Sequence, residues 1–360
     1  MRIIQVIQKP QLRGAEIFAC QLGQHLLELG HDVLIISLFP GKADLPFTGQ
    51  QIHLGSSPRF RFLDWKGFRE LSRIVKEFNP DIVQANAGDT LKYAVLSKAI
   101  FKWRTPIIFR NASMISRYIR SSFGCMLNRM LLHRVDHVIS VSGSCRSDFI
   151  ETFDFSPKRV DVIPVGVEIS EVPVNSVVPG NYVIHVGGFT FEKNHLGLLR
   201  IFKKVSMTKD VELWLVGDGP LRPAVEEYAQ KLNLTNSVRF LGARKDVARL
   251  ISEARGLLLP SIIEGLPAVI LEAMYHKAPV VAYNVGGIPE IVKSGVSGWL
   301  INQGDEPEFA KAVMQILESS NISQVVDVAY HEVLERFDNR KIAARFVDVY
   351  KSVIESPEHK

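Results

Sequence analysis

Two glutamates, Glu264 and Glu272, stand eight positions apart around the start of an apolar stretch. They belong to Leu257–Glu290, LLLPSIIEGLPAVILEAMYHKAPVVAYNVGGIPE. The apolar run Gly256–Leu259 reads as a buried strand that ends at Pro260-Ser261. A polar turn through Glu264-Gly265-Leu266-Pro267 then leads into a helix over PAVILEAMYHKA, with Pro267 suited to the first helical position. A second apolar run, Pro279–Tyr283, completes a β-α-β unit whose strands should be parallel. Eight residues of helix rise roughly 12 Å, so the two carboxylates could flank an extended ligand, one at each end. Between them the helix N-terminus offers free N–H groups, which attract an anion. Pro267 has no N–H, so Leu266, Ala268 and Val269 must supply the donors. A sugar, a diphosphate and a ribose in series have that length and polarity. Taken in isolation, the same residues are a loop charge and a surface helix charge; their surroundings decide between the readings.

Those surroundings are Pro260-Ser261, Glu264-Gly265, Glu272-Ala273, Pro279-Val280-Val281, Gly286-Gly287 and Glu290. Together they resemble the donor-binding signature of the retaining glycosyltransferases of family 4. That resemblance implies an α/β protein of GT-B architecture, in which two Rossmann-like domains face each other across a cleft. It also implies a last helix that crosses back onto the first domain.

The 360 residues are long enough for two domains. An apolar content of 46% with 22% charged residues is that of a globular chain. Cys20, Cys125 and Cys145 are scattered and odd in number, with no metal-ligand spacing, as expected of a reducing compartment. The opening MRIIQVIQKPQ meets Lys9-Pro10 too early for a signal peptide, and no apolar run has the length of a membrane span. We therefore expect a cytoplasmic protein.

In the first half, Ile3–Ile7 reads as a buried strand, Ala15–Leu29 as a helix stopped by Gly30, and Val33–Ser37 as a second strand. The loop between, Gln11–Glu16, lies at the carboxyl end of a strand, where open α/β sheets bind ligands. It lacks G-x-G-x-x-G, which argues against NAD. By resemblance, Gly14 matches a glycine whose backbone approaches the donor phosphate or the acceptor; otherwise it merely permits a tight turn. Pro80–Asn86 and Pro106–Asn111 resemble the family's next strands. Many members carry histidine where Asn86 and Asn111 stand. An asparagine can hydrogen-bond but cannot serve as a base near neutral pH, so Asn86, Arg110 and Asn111 are expected to orient the acceptor or the sugar.

Two basic, aromatic stretches follow no catalytic motif. One is Arg59–Arg69, with Phe60, Arg61, Phe62, Trp65 and Lys66. The other is Arg117–Arg134, with Tyr118, Arg120, Phe123, Arg129, Met130, Leu131 and Leu132. Each could be a helix lying on an anionic membrane surface, or a core helix with a solvated basic rim. Nucleic acid is a weaker third reading and is not expected as a partner, because no recognised binding module accompanies the charge. Asp136–Ser142 and Val160–Val167 read as further strands, and Glu168–Gly180, with two prolines, reads as a linker. The domains are accordingly placed at 1–167, plus about 340–360, and at 168–339, residue ranges given by the sequence signals.

In the second half, Tyr182–Val186 begins the donor domain and runs into Gly187-Gly188-Phe189-Thr190-Phe191-Glu192-Lys193-Asn194. The family places an arginine and a lysine here on the diphosphate; Lys193 matches, and Gly188 stands at the arginine's position. A lysine at a phosphate stabilises the leaving group as its bond breaks. The weaker clamp could be completed by Arg13 or Arg244. Gly217-Asp218-Gly219 is a turn to which no chemistry is assigned. Val238–Gly242 resembles the strand beside the nucleotide base, with Arg244 just after it. Asp305–Ser319 and Asn339–Ile354 read as helices. The resemblance implies Glu272 on ribose hydroxyls, Glu264 on sugar hydroxyls, and Lys193 with the Gly265, Leu266, Ala268 and Val269 amides on the diphosphate. No two aspartates stand two apart, so an Asp-x-Asp metal site is absent from the sequence. Neither metal nor cofactor is expected; the nucleotide sugar, a UDP-sugar by family habit, is a substrate. The expected acceptor is a glycan or lipid-linked glycan of bacterial surface polysaccharide or lipopolysaccharide synthesis. Two alternatives stay open: a nucleotide-sugar 2-epimerase, and an idle GT-B subunit that only binds a partner.

Overall fold

The computed structural model describes residues 1–60, 63–119, 121–169, 180–318 and 322–356. Arg61, Phe62, Arg120, Ser319 and residues 170–179 of the expected linker lie outside the described residues. The chain divides into two compact units, Met1–Val165 with Asn339–Lys360, and Gly166–Asp338.

The first unit is built on seven parallel strands: β1 (Arg2–Ile7), β2 (Asp32–Ser37), β3 (Gln50–His53), β4 (Ile82–Ala85), β5 (Ile107–Asn111), β6 (His137–Ser140) and β7 (Val160–Val162). Their order is β3-β2-β1-β4-β5-β6-β7, so the direction of winding reverses between β1 and β4. The intervening helices are α1 (Gly14–Glu28), α2 (Trp65–Phe78), α3 (Gly88–Phe101), α4 (Ser122–Leu132) and α5 (Gly143–Phe153). Near-continuous apolar strands such as RIIQVI are what a sheet covered on both faces requires. Side chains alternate along each strand. One face carries Ile4, Val6, Val83, Ala85, Ile107, Phe109 and Val138 into a core with Phe68, Leu71 and Phe149. The other face is polar at its centre, where the register pairs Gln5 with Gln84.

The second unit has six parallel strands: β8 (Tyr182–Val186), β9 (Glu212–Val216), β10 (Val238–Gly242), β11 (Leu257–Leu259), β12 (Val280–Tyr283) and β13 (Trp299–Ile301). Their order, β10-β9-β8-β11-β12-β13, reverses between β8 and β11. Helices α6 (His195–Ser206), α7 (Arg222–Lys231), α8 (Val247–Ser252), α9 (Ala268–Tyr275), α10 (Glu306–Glu318) and α11 (Ile322–Arg336) complete it. Its core packs Leu198, Phe202, Leu213, Leu258, Val281 and Phe309.

The last helix, α12 (Asn339–Glu355), belongs to the first unit and packs on α1. Tyr350 of α12 anchors it. The phenol donates to Gln84 Oε1 (2.7 Å) and accepts from Gln5 Nε2 (3.1 Å); Gln84 donates to Asn86 Oδ1 (2.9 Å), and Asn86 donates to Gln5 Oε1 (2.9 Å). In this closed ring each of the four buried polar side chains has a hydrogen-bond partner.

Two local expectations are corrected. Arg117–Arg134 is not one helix: a 3-10 turn over Ile115–Tyr118 precedes α4, whose start is set by Ser121 accepting from Gly124 N (3.1 Å). Val160–Val167 is a strand only to Val162, because Pro164 cannot donate to a sheet ladder.

Candidate active site

In an open parallel sheet the loops leaving the strands at the winding reversal meet outside their carboxyl ends and leave a crevice for ligands. In the second unit these are the loops after β8 and β11. Ile262 N donates to Glu192 O (2.8 Å) and Asn194 Nδ2 to Pro260 O (3.0 Å), which ties the two loops together. Asn194 also caps α6 by accepting from Gly197 N (3.3 Å), and takes the left-handed conformation (φ 52°) that asparagine tolerates. Held this way, Lys193 Nζ lies 2.6 Å from Glu264 Oε1. The Glu264 residue is 8% exposed and the Lys193 side chain 21%, so the charges face each other with little water between them.

Two glycines shape the walls. Gly286 adopts φ +54°, and a Cβ there would come within 1.9 Å of the Glu264 carbonyl oxygen. Its neighbour Gly287 donates to Gly265 O (2.8 Å), so the loop after β12 grips the turn that carries Glu264. Gly217 does the same for the loop after β8: at φ +133°, a Cβ would stand 2.1 Å from Gly187 O.

The helix after Glu264 starts one residue later than expected. Pro267 is the N-cap (φ −77°, ψ 113°), and α9 begins at Ala268. The extended ψ turns the Pro267 carbonyl to accept from Ile270 N (3.1 Å). Leu266, Ala268 and Val269 retain N–H groups with no protein acceptor among the described residues. Glu272, just over a turn into α9, is half-buried and has no hydrogen-bond or ion-pair partner among the described residues. Burial alone pushes its carboxyl above the usual range. Hydroxyl donors from a ligand would offset that desolvation.

Gly188 lies in the loop after β8, where a Cβ would meet only Asp218 O at 3.5 Å; the backbone leaves room there. Arg244 stands just after β10, with Nε and Nη2 both donating to Asp246 (2.8 Å each) on an exposed surface. The remaining expected residues are in the first unit. Gly14 is the first residue of α1, and a Cβ on it would meet nothing within 4 Å. Asn86 is committed to the buried ring: its Nδ2 also reaches Val6 O (3.2 Å), so its amide hydrogens are spent inside the protein rather than on an acceptor. Asn111 Nδ2 is likewise directed to Cys145 O (3.1 Å) and Ser140 Oγ (3.3 Å). Arg110 is buried over the Phe18 ring at 4.0 Å.

Sequence reasoning missed His185 and His195. Both are buried beside Lys193, with ring centroids 4.7 Å apart and edge to face. His195 also stacks on Phe189 at 4.1 Å. His185 Nδ1 donates a hydrogen bond to the Leu258 carbonyl (2.8 Å), so Nε2 is left an acceptor, and among the described residues neither it nor either His195 nitrogen has a hydrogen-bond partner. Burial pushes His185 down to about 4 and His195 to about 2, with the Lys193 charge adding to both. Nothing in the spacing signals this; only its direct succession to Lys193-Asn194 marks His195.

The chain matches two family models, "Glycosyltransferase Family 4" over residues 12–171 and "Glycosyl transferases group 1" over residues 180–319. It is 24% identical to the N-acetyl-alpha-D-glucosaminyl L-malate synthase of Bacillus anthracis, covering 96% of this chain and 95% of that one. It is 26% identical to a Campylobacter jejuni N-acetyl-D-galactosaminyltransferase named for an undecaprenol-linked glycan, over 89% and 90% of the two chains. The fold superposes with a TM-score of 0.82 on Anabaena HepE in complex with UDP-glucose (20% identity; 98% of this chain and 100% of that one). The sucrose-phosphate synthase of Thermosynechococcus elongatus also matches, with a TM-score of 0.82 (18% identity; 98% of each). The chain is a GT-B glycosyltransferase and belongs to glycosyltransferase family 4.

Proposed function

We propose that the chain moves a hexose-type sugar from a UDP-sugar to a hydroxyl of a glycan or lipid-linked acceptor, with retention of configuration and without a metal ion. The observation that carries the reading is the Lys193–Glu264 pair beside the unfilled N–H groups of α9 (2.6 Å). Lys193 and the Gly265–Val269 turn are the cationic and dipolar partners of a leaving diphosphate, the work a divalent metal does elsewhere. Glu264 takes sugar hydroxyls, and Glu272, a half-buried carboxyl without a side-chain partner among the described residues, takes the ribose hydroxyls. The acceptor hydroxyl attacks the anomeric carbon on the face the diphosphate leaves. The C–O bond to phosphate breaks, the new glycosidic bond forms, and the departing phosphate oxygen takes the hydroxyl proton. Names of similar proteins support the substrate classes: HepE was solved with UDP-glucose, and the Campylobacter protein is named for an undecaprenol-linked glycan.

The acceptor's lipid points to a site of work. On α4, Phe123 (70% exposed), Met126, Leu127 and Met130 (61%) are spaced as one helical stripe, with Arg129 among them and no acidic residue in the helix. Such a helix lies at an anionic bilayer surface. No helix among the described residues is long and apolar enough to cross a membrane. We place the protein at the inner face of the cell membrane, in surface polysaccharide or lipopolysaccharide synthesis. Co-sedimentation with anionic liposomes, lost in Phe123→Ser/Met130→Ser, tests this; equal binding by both proteins would remove α4 from the account.

The donor assignment is tested by calorimetric titration with UDP, GDP, ADP and NAD, on the wild type and Glu272→Ala. UDP should bind, and Glu272→Ala should weaken it about tenfold or more, the loss expected for hydrogen bonds to a carboxylate. If no diphosphate binds, the idle-subunit alternative replaces this reading.

A further inference from the structure

Arg110 carries a buried positive charge that has no hydrogen-bonded or ion-paired partner among the described residues. It is the fourth residue of β5 and is 2% exposed. Its Nε and Nη1 are enclosed without a partner, and among the described residues its guanidinium makes no hydrogen bond or ion pair. The Phe18 ring lies under it at 4.0 Å, and a ring face attracts a cation without neutralising it. The groups whose charge could reach it are Glu16, Tyr350 and Cys145. Glu16 is buried, engaged by Gln11 (2.9 Å), and its carboxyl is pushed up by burial; burial likewise pushes up the Tyr350 phenol. A guanidinium does not escape by losing its proton near neutral pH. A buried charge without a partner is among the most costly features a fold can hold.

A second observation concerns the helix that supplies Phe18 and Glu16. Phe18 and Glu16 are in the first turns of α1, a helix of 15 residues whose N-terminus is uncapped: Arg13, the N-cap, makes no side-chain hydrogen bond to it. The Gly14 and Ala15 amides have no acceptor among the described residues, and a Cβ on Gly14 would face open space. An unanswered guanidinium and an uncapped helix start together call for an anion. Water would satisfy the N–H groups but would leave the charge uncompensated.

We infer that the first unit contains an anion subsite, made by the Arg110 guanidinium and the first-turn amides of α1, that holds the carboxylate or phosphate group of an acidic acceptor. The assignment to the acceptor rests on the glycosyltransferase reading above, in which the donor diphosphate has its own cation, Lys193, in the second unit.

The test titrates the full-length protein with inorganic phosphate, malonate and UDP, comparing wild type with Arg110→Met and Arg110→Lys. The wild type should bind phosphate or malonate and melt higher in its presence. Arg110→Met should bind that anion at least about tenfold more weakly, as loss of charge-assisted bonds requires, with UDP affinity unchanged. In anion-free buffer Arg110→Met should melt above the wild type, because the unpaired buried charge is gone. Should that variant not fold, Arg110→Lys, which keeps the charge but not the fork, should show the weakened anion binding. Equal anion affinity in wild type and variants, or none in the wild type, overturns the subsite. A loss of UDP binding in the variants overturns its assignment to the acceptor. A wild type that binds phosphate but not UDP fails the donor reading and leaves the anion subsite standing.

Discussion

At the scale of single residues, the proposed function gives Glu264 two jobs at once. It pairs with Lys193 at 2.6 Å, and the proposal has its remaining lone pairs take sugar hydroxyls. Removing Lys193 leaves a buried carboxylate without its cation. Lys193→Ala should therefore be less stable than Lys193→Ala/Glu264→Gln, by roughly 1–3 kcal/mol in denaturant unfolding. Equal stabilities would show that the pair is not energetically coupled. In turnover, Lys193→Ala should lose about 100- to 1000-fold, as when one charge stabiliser of a leaving group is removed. His185 and His195 make a different prediction. Their imidazoles titrate near about 6.5 in the unfolded chain and far lower when folded. The unfolded chain thus binds more protons below that value, and stability is lost as pH falls from about 6.5 towards about 4. Glu16 and Glu272, raised by burial, act with the opposite sign. A comparison with His195→Phe isolates the imidazole: the wild type should lose more melting temperature than the variant between about pH 7 and about pH 5. Parallel pH profiles would rule the imidazole out as the source.

At the scale of elements, the site depends on loops that brace one another. The turn with Glu264 is gripped from the loop after β12 by Gly286 and Gly287, and the loop with Lys193 is tied to it through Asn194 and Pro260. Gly286→Ala puts a Cβ into the Glu264 carbonyl at a φ of +54°. It should cost about 1–3 kcal/mol of stability, the scale of enforced backbone strain, and weaken nucleotide binding with Glu264 chemically intact. Unchanged UDP affinity in a folded Gly286→Ala protein would mean that the turn tolerates displacement. The strands other than β3 and β13 were legible from the sequence, because a parallel sheet buries both faces of its inner strands; β3 and β13 are short edge strands with partly exposed residues. Helix α11 was not legible either, and the start of α9 was misplaced by one residue, because a proline suits both the first helical position and an extended cap.

At the scale of the whole molecule, the chain leaves the first unit after Val165 and returns at Asn339. In the second unit these two passages lie side by side, with Val167 N donating to Phe337 O (2.8 Å). The returning helix is joined to the first unit's sheet by Tyr350. Tyr350→Phe leaves Gln5 Nε2 without an acceptor and Gln84 Oε1 without a donor, and should cost about 1–3 kcal/mol. Amide exchange should quicken in α12 and β1 before it does in β8. Uniform quickening in both units would contradict the assignment of α12 to the first.

The sequence alone determined what local chemistry and periodicity can express. Apolar runs marked parallel strands other than β3 and β13, and the motif around Glu264 and Glu272 marked the turn and helix between β11 and β12, because those residues are neighbours along the chain. Tertiary structure decided whatever depends on burial or on distant partners. Lys193 and Glu264, 71 positions apart, meet only because β8 and β11 are adjacent. Asn86 looked like a ligand contact and proved to be one corner of a buried ring, whose other corners come from β1, β4 and α12. Arg110 was expected to orient the acceptor or the sugar; that its guanidinium is buried with no hydrogen bond or ion pair among the described residues follows from the packing of α1 over the sheet, which no local pattern encodes.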